Sequence, residues 1–243
     1  MAGSNPPLCI YTTPLIQGVA ALEMLSYLAE IDSDKETKHI CFIRHLARYF
    51  ARTWSAPQPV DGQTRQAQEK DISRRLPILK SDPTFNAVSP CTLSALEAPL
   101  PQLFSENHPQ VLTHGDLSKT NILVDPDTYE ITGMVDWSLA AVRPFGLELD
   151  TLLLTTGCMD LVGWHDYSCK EVLMEAFWTE FSDQVKRDFG APDDRARAEV
   201  AMRIGAVVRY AFKRNKDGSA SDEVSTSEAM LGILKEIVHN KNT

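Results

Sequence analysis

Val111-Leu112-Thr113-His114-Gly115-Asp116-Leu117-Ser118-Lys119-Thr120-Asn121-Ile122-Leu123-Val124, continued by Ile131-Thr132-Gly133-Met134-Val135-Asp136-Trp137, is the stretch whose reading decides the fold. Val111 and Leu112 lead into a polar loop, and Ile122-Leu123-Val124 is an apolar run of buried-strand type. Asp125-Pro126-Asp127-Thr128 carries turn residues ahead of a second β-rich run. The order is strand, polar loop, strand, turn, strand, with the last two strands closing a hairpin. The loop bearing Asp116 and Asn121 enters that hairpin at the end where Asp136 leaves it. Paired antiparallel strands lie about 4.8 Å apart, so these three oxygen-bearing side chains are predicted to converge. Such a cluster suits Mg²⁺ and a phosphorylated nucleotide, because a few carboxylate or amide oxygens hold the ion while phosphate oxygens and water complete its shell. A remaining carboxylate can take a proton from an attacking hydroxyl.

His114-Gly115-Asp116, Asn121 and Asp136-Trp137 resemble the catalytic loop and metal-binding aspartate of the protein-kinase-like fold. With Gly after His, and Asp-Trp where protein kinases have Asp-Phe-Gly, the pattern is similar to the aminoglycoside phosphotransferase and choline kinase branch. The wording from Leu112 to Ser118 and on through Pro144-Phe145-Gly146-Leu147 most resembles fungal members. The resemblance spans the chain from Tyr11 onward, with its specificity in residues 111 to 150.

It implies an α+β, mostly helical chain: the carboxy-terminal lobe of the kinase-like fold with a small catalytic β-hairpin. It also implies transfer of the γ-phosphate of ATP to a hydroxyl of a small molecule. Asp116 would be the catalytic base, with Asn121 and Asp136 on Mg²⁺ and the nucleotide phosphates. His114 would pack beneath the metal-binding segment as scaffold. Lys119 would neutralise phosphate charge or stand as an exposed lysine, since protein kinases put their loop lysine where this chain has Ser118. Asp150 would open a helix and steady the loop, and Arg143 is a substrate or phosphate candidate at the same mouth. Ordinary structural roles compete with each of these: Asp116 bonding local amides, Asn121 in a turn, Asp136 as a cap, and Trp164, His165 and Trp178 in the core.

One departure from the family pattern matters. Residues 1 to 110 contain no G-x-G-x-x-G, and Lys35, Lys38, Lys70 and Lys80 all fall in helical or loop contexts. The expectation is therefore a chain lacking most of the amino-terminal lobe. Residues 1–17 would be a disordered start with a remnant hinge strand at Leu8–Tyr11, and 18–243 the lobe, with the catalytic loop at 111–124 and the metal-binding segment at 131–137. Alternatives follow from it: a carboxy-terminal piece of a longer kinase, a lobe-less pseudo-kinase or metabolite- or partner-binding module, or a non-kinase enzyme reusing the acidic loop. Apolar surface left by the missing lobe would favour self-association or a partner.

The 243 residues suffice for a sizeable core, and the net charge of −9 argues against nucleic acid or an anionic membrane as partner. Five cysteines without a C-x-x-C pair fit a reducing compartment, and no basic leader or membrane-length apolar run precedes the domain, so the cytoplasm is expected. Spacing predicts a helix from Gly18 through Ile31, and a second capped by Ser33 with Glu36 that buries Ile43, Leu46, Phe50 and Trp54. Arg44, Arg48 and Arg52 recur every fourth residue elsewhere on it, as a solvated face or one that receives an anionic group. A loop over 55–69, a short helix at Asp71–Leu79 and a Pro-broken amphipathic segment from Leu93 to Phe104 lead to the hairpin. Beyond it the chain reads as helical to its end, with Phe177 and Phe181 facing inward on one helix. A longer one opens at Asp193-Asp194 and is ended by Asn215–Gly218, and a last one runs from Ser225 to His239.

Overall fold

The computed structural model describes residues 14–83, 85–185, 192–216 and 218–239. A two-residue strand β1 (Val19–Ala20) runs into one helical turn, α1 (Ala21–Met24), followed by the long helices α2 (Ser33–Trp54) and α3 (Gly62–Ser81). Short helices α4 (Pro90–Glu97) and α5 (Leu100–Leu103) precede the strands β2 (Gln110–Thr113), β3 (Ile122–Val124) and β4 (Ile131–Met134). A 3-10 turn at Trp137–Leu139 leads to β5 (Ala141–Pro144) and α6 (Asp150–Leu154). Then come β6 (Gly157–Met159), β7 (Trp164–Asp166), α7 (Lys170–Val185), α8 (Pro192–Tyr210), β8 (Phe212–Arg214), β9 (Ala220–Val224) and α9 (Glu228–His239). The class is α+β and mostly helical, as expected. The hinge strand expected at Leu8–Tyr11 lies outside the described residues.

The hairpin forms as the residues dictate. β3 and β4 pair antiparallel with Ile122 opposite Met134 and Leu123 opposite Gly133, and β1 adds to the free side of β3. Asp125 nucleates the turn, its Oδ1 accepting the amides of Asp127 and Thr128 at 2.9 Å each. β2 does not join this sheet. It pairs with β5, setting Val111 opposite Arg143 and Thr113 opposite Ala141.

Beneath the two small sheets, α2 packs along α7. Phe42, Ile43, Leu46 and Phe50 are buried from one side and Leu173, Phe177 and Phe181 from the other. Trp54 meets Phe145 edge-on at 4.8 Å, and Phe145 lies 5.7 Å from Phe181, which ties the segment after β5 to this core.

Several expectations are corrected. The helix from Gly18 to Ile31 shrinks to α1, because Val19 and Ala20 pair with β3 and the Leu22 amide donates to the Lys119 carbonyl, leaving Leu22 and Leu28 exposed. Asp32, not Ser33, caps α2, its carboxylate accepting the Lys35 amide; Ser33 is already inside the helix. α3 begins at Gly62 rather than near Asp71, capped by Asp61, so the polar run to Lys70 is helix without an apolar stripe. Residues 145–149 are turns ahead of α6. The helical reading of the remainder fails at two antiparallel hairpins, β6–β7 and β8–β9; residues 215–218 fall between β8 and β9, while α8 stops at Tyr210.

α8 lies against the segment after β5 at a glycine. A Cβ at Gly205 would stand 1.8 Å from the Leu147 carbonyl oxygen, whereas one at Gly232 in α9 would meet nothing within 4 Å. The two alanine variants should therefore change stability in opposite directions. Gly205→Ala is expected to cost about 1–3 kcal/mol by overpacking, and Gly232→Ala to gain roughly 0.5–1 kcal/mol from helix propensity. Urea unfolding checks both, and equal signs would remove the close approach.

Candidate active site

Asp116, Asn121 and Asp136 are brought together through the backbone of the hairpin's open end. The Asn121 Nδ2 donates to the Asp116 carbonyl at 2.9 Å, and the Asn121 carbonyl accepts the Val135 amide at 3.0 Å. The Val135 carbonyl in turn accepts from His114 Nε2 at 2.7 Å, so loop, strand start and strand end are laced together. Because a carbonyl only accepts, the bond to Asp116 fixes the Asn121 amide and leaves its Oδ1 without a hydrogen-bond donor among the described residues. Asp136 sits in the left-handed region at φ 63° and ψ 60°, a conformation aspartate tolerates better than most residues. Ser138 Oγ donates to its Oδ1 at 2.7 Å.

His114 is fully buried and tilted against Trp137 at 4.8 Å. Its Nδ1 accepts the Asp116 amide at 3.3 Å while Nε2 donates to Val135, which sets the neutral tautomer and occupies both nitrogens. Both ring nitrogens are thus engaged in tying the loop to the strand end. Lys119 is not the exposed lysine of the second reading. Its Nζ donates to the Gly157 carbonyl at 3.0 Å beside the Trp164 ring, and burial pulls its pKa down to about 8. Trp178 is core.

Two residues that sequence reasoning missed hold the loop. Glu148 is buried and its two oxygens accept the His114 amide at 3.0 Å and the Gly115 amide at 2.7 Å. Arg209, at the end of α8, donates to the Leu117 carbonyl at 3.0 Å, to Asp150 at 3.3 Å and to Asp116 Oδ1 at 3.1 Å. Asp150, wholly buried at the start of α6, also accepts from Tyr210 at 2.9 Å. Asp150 is connected to the loop through Arg209. Thr151 adds a 2.8 Å bond to the Leu117 carbonyl. Arg214 brings a second guanidinium to 3.8 Å from Asp116. Sequence spacing carries no signal for Arg209 or Arg214, because both lie some ninety residues from the loop they serve.

Burial raises the Glu148 carboxyl to about 7, against the two amide bonds that favour its ionised form. With the folded pKa above the unfolded one, the folded state binds more protons between about pH 4.5 and 7. This group's contribution to stability is thus full below that window and lost as pH rises through it, by up to about 3 kcal/mol. Urea unfolding of wild type and Glu148→Gln across this range should give a steeper decline for wild type; parallel profiles would refute the shift.

A cavity of about 330 Å³ adjoins the loop, walled by Gly115, Glu148 and Arg209 and closed by α3, β5 and the β8–β9 hairpin. Arg143 lines it, as the expectation of a mouth residue requires. A separate group, Cys41, His45 and Glu130, brings ligand atoms within 4.8 Å of one another at the opposite, turn end of the hairpin.

Loop, hairpin and left-handed aspartate form the polar centre of a kinase-like α+β chain. Residues 17–200 match the family described as APH, phosphotransferase enzyme family, and the chain belongs to that family. Among solved structures it is similar to a macrolide 2'-phosphotransferase type I, at 15% identity and a TM-score of 0.48 over 81% of this chain and 61% of that one. It is also similar to the aminoglycoside phosphotransferase APH(3'')-Id from Streptomyces rimosus in complex with ADP and streptomycin, at 18% identity and a TM-score of 0.47, covering 78% and 67%. A third is the GDP complex of aminoglycoside 2'-phosphotransferase-IIIa, at 15% identity and a TM-score of 0.45, covering 81% and 60%. The chain thus spans about three-fifths to two-thirds of the length of these proteins. No curated protein sequence matches it. Among the described residues no helix is long and apolar enough to cross a membrane.

Proposed function

We propose that this chain, as the carboxy-terminal lobe over 18–243, transfers the γ-phosphoryl group of ATP to a hydroxyl of a small molecule. The observation that carries the proposal is the lacing of the Asp116 loop and Asn121 to Val135, the residue before Asp136, at one end of the β3–β4 hairpin. Asp116 is the base: it accepts the hydroxyl proton as the acceptor oxygen bonds phosphorus and the bond to the ADP oxygen breaks. The Oδ1 of Asn121 and the Asp136 carboxylate are hard oxygen donors, which suits Mg²⁺, and they would hold it. When bound, the ion would neutralise phosphate charge. His114 fixes the loop amide of Asp116 and the carbonyl of Val135, and so the spacing between base and metal donors. Lys119 is committed to Gly157 and leaves the phosphates to other cations.

A second reading, a nucleotide- or metabolite-binding module without turnover, is favoured by the ion pair that Asp116 makes with Arg209, which competes with a substrate hydroxyl for the same oxygen. Free thiols at Cys41, Cys91, Cys158 and Cys169 suit the cytoplasm, where we place the protein. Apolar side chains exposed at Leu15, Leu28, Leu161 and Val162 support self-association or a partner.

Calorimetry with ATP, with and without magnesium, tests the site. Wild type should bind ATP in a magnesium-dependent manner, and Asp136→Ala should lose that dependence. Absence of binding at millimolar ATP, or an unchanged variant, would overturn the assignment.

A further inference from the structure

The cavity beside Asp116 is unusual in its charge. Four arginines line it, Arg75 on α3, Arg143 on β5, Arg209 on α8 and Arg214 on β8, and Gly115 brings in the loop next to Asp116. The carboxylates in its wall are engaged, though not fully: Glu148 is turned onto the loop amides, Asp71 onto Arg74 and Arg75, and Asp150 onto Arg209 and Tyr210 through Oδ2, while its buried Oδ1 makes no hydrogen bond. Arg143 is half-buried and has no carboxylate within ion-pair distance among the described residues. Arg75 has only 9% of its side chain exposed; its Nη2 donates to the Ala220 carbonyl at 2.9 Å and lies 3.3 Å from Asp71, while its Nε makes no hydrogen bond, with Asp222 3.7 Å away.

Buried guanidinium N–H groups without acceptors cost free energy that an oxyanion would recover, and a guanidinium presents the fork that a carboxylate or phosphate fills. Size adds a second limit. At about 330 Å³ the cavity is at the small end of ligand pockets, which run from about 300 to 1,000 Å³. Position adds a third, because Arg209 and Arg214, which line it, both reach Asp116 Oδ1. A ligand seated on these arginines is within one side chain of the base.

We propose that this cavity is the acceptor site and that the acceptor is a small hydroxylated anion, its oxyanion held by Arg143 and Arg75 and its hydroxyl presented to Asp116. The proposal rests on the phosphotransfer reading for the role of Asp116, but oxyanion binding is independent of nucleotide and is tested without it. Thermal shift and calorimetry on the full chain, with no ATP, would compare gluconate and glucose 6-phosphate with glucose and glucosamine, four probes of similar size. At least one anion should stabilise the protein and the neutral and cationic sugars should not; gluconate against glucose 6-phosphate tells carboxylate from phosphate.

Arg143→Gln should weaken the bound anion by about tenfold or more, the scale of one charge-assisted hydrogen bond, while magnesium-dependent ATP binding stays at the wild-type level. Arg143→Lys, which keeps the charge, should retain part of the affinity and guards against a folding defect in the first variant. Equal binding of anion and neutral sugar, binding of none, or an unchanged Arg143→Gln would overturn the proposal. ATP binding that persists in any of those cases would leave the phosphotransfer reading standing and remove only the substrate class.

Discussion

Asp116→Asn is expected to slow phosphoryl transfer by about 10²–10⁴-fold, the range general-base catalysis contributes, with magnesium-dependent ATP binding retained. Asparagine keeps the shape of the side chain and still offers Oδ1 to Arg209, which donates to it at 3.1 Å in the wild-type protein. The loop should therefore hold, since its anchors are the His114 and Gly115 amides on Glu148 and the Leu117 carbonyl on Arg209 and Thr151. What is lost is the ability to accept a proton. ADP release, with either an acceptor or water supplying the hydroxyl, measures the effect beside calorimetry for ATP. A rate within tenfold of wild type would take Asp116 out of the base role and leave it as a partner of Arg209.

Arg209→Met should destabilise the fold by about 3–5 kcal/mol, the cost of breaking a buried ion pair from one side. The guanidinium is largely buried, and it bridges Asp116, Asp150 and the Leu117 carbonyl. Burial by itself would lower its pKa, yet the Asp150 and Asp116 carboxylates more than reverse this, so it remains charged. Asp150 has 1% of its side chain exposed, and without Arg209 it would keep only the Tyr210 hydroxyl and its own helix amide. Burial already raises the Asp150 pKa, so the variant should drive it to the protonated form. The double variant Arg209→Met/Asp150→Asn should recover part of the loss, because the buried charge is then gone from both sides. Urea unfolding of the two single variants and the double gives the coupling. A single-variant cost under about 1 kcal/mol would place the pair among the weak surface bridges.

How much of this was legible beforehand differs by element. The hairpin could be read because Ile122-Leu123-Val124, the Asp125 turn and Ile131–Met134 are contiguous, and local turn chemistry sets their register. α2 and α7 were legible for a similar reason: Ile43, Leu46 and Phe50, and then Phe177 and Phe181, repeat at helical spacing and meet each other. The segment from Gly18 misled because its helical spacing is real, but its backbone groups find partners in β3 and at Lys119. The β6–β7 and β8–β9 hairpins were missed because strands of three to five residues carry too few alternations to stand out from helix.

Asp116, Asn121 and Asp136 sit within 21 residues of sequence, and a single β-ribbon ties the loop to the strand that ends before Asp136, so residue order alone determined that the three share one end of the hairpin. Glu148 beneath the loop amides, Arg209 against Asp116 and the four-arginine cavity come from α3, β5, the turns before α6, α8 and β8, and only the tertiary structure decided them. The physical reason is reach. Turn chemistry and strand pairing act over a few residues, whereas the charge that surrounds a buried carboxylate depends on which distant helices pack over it.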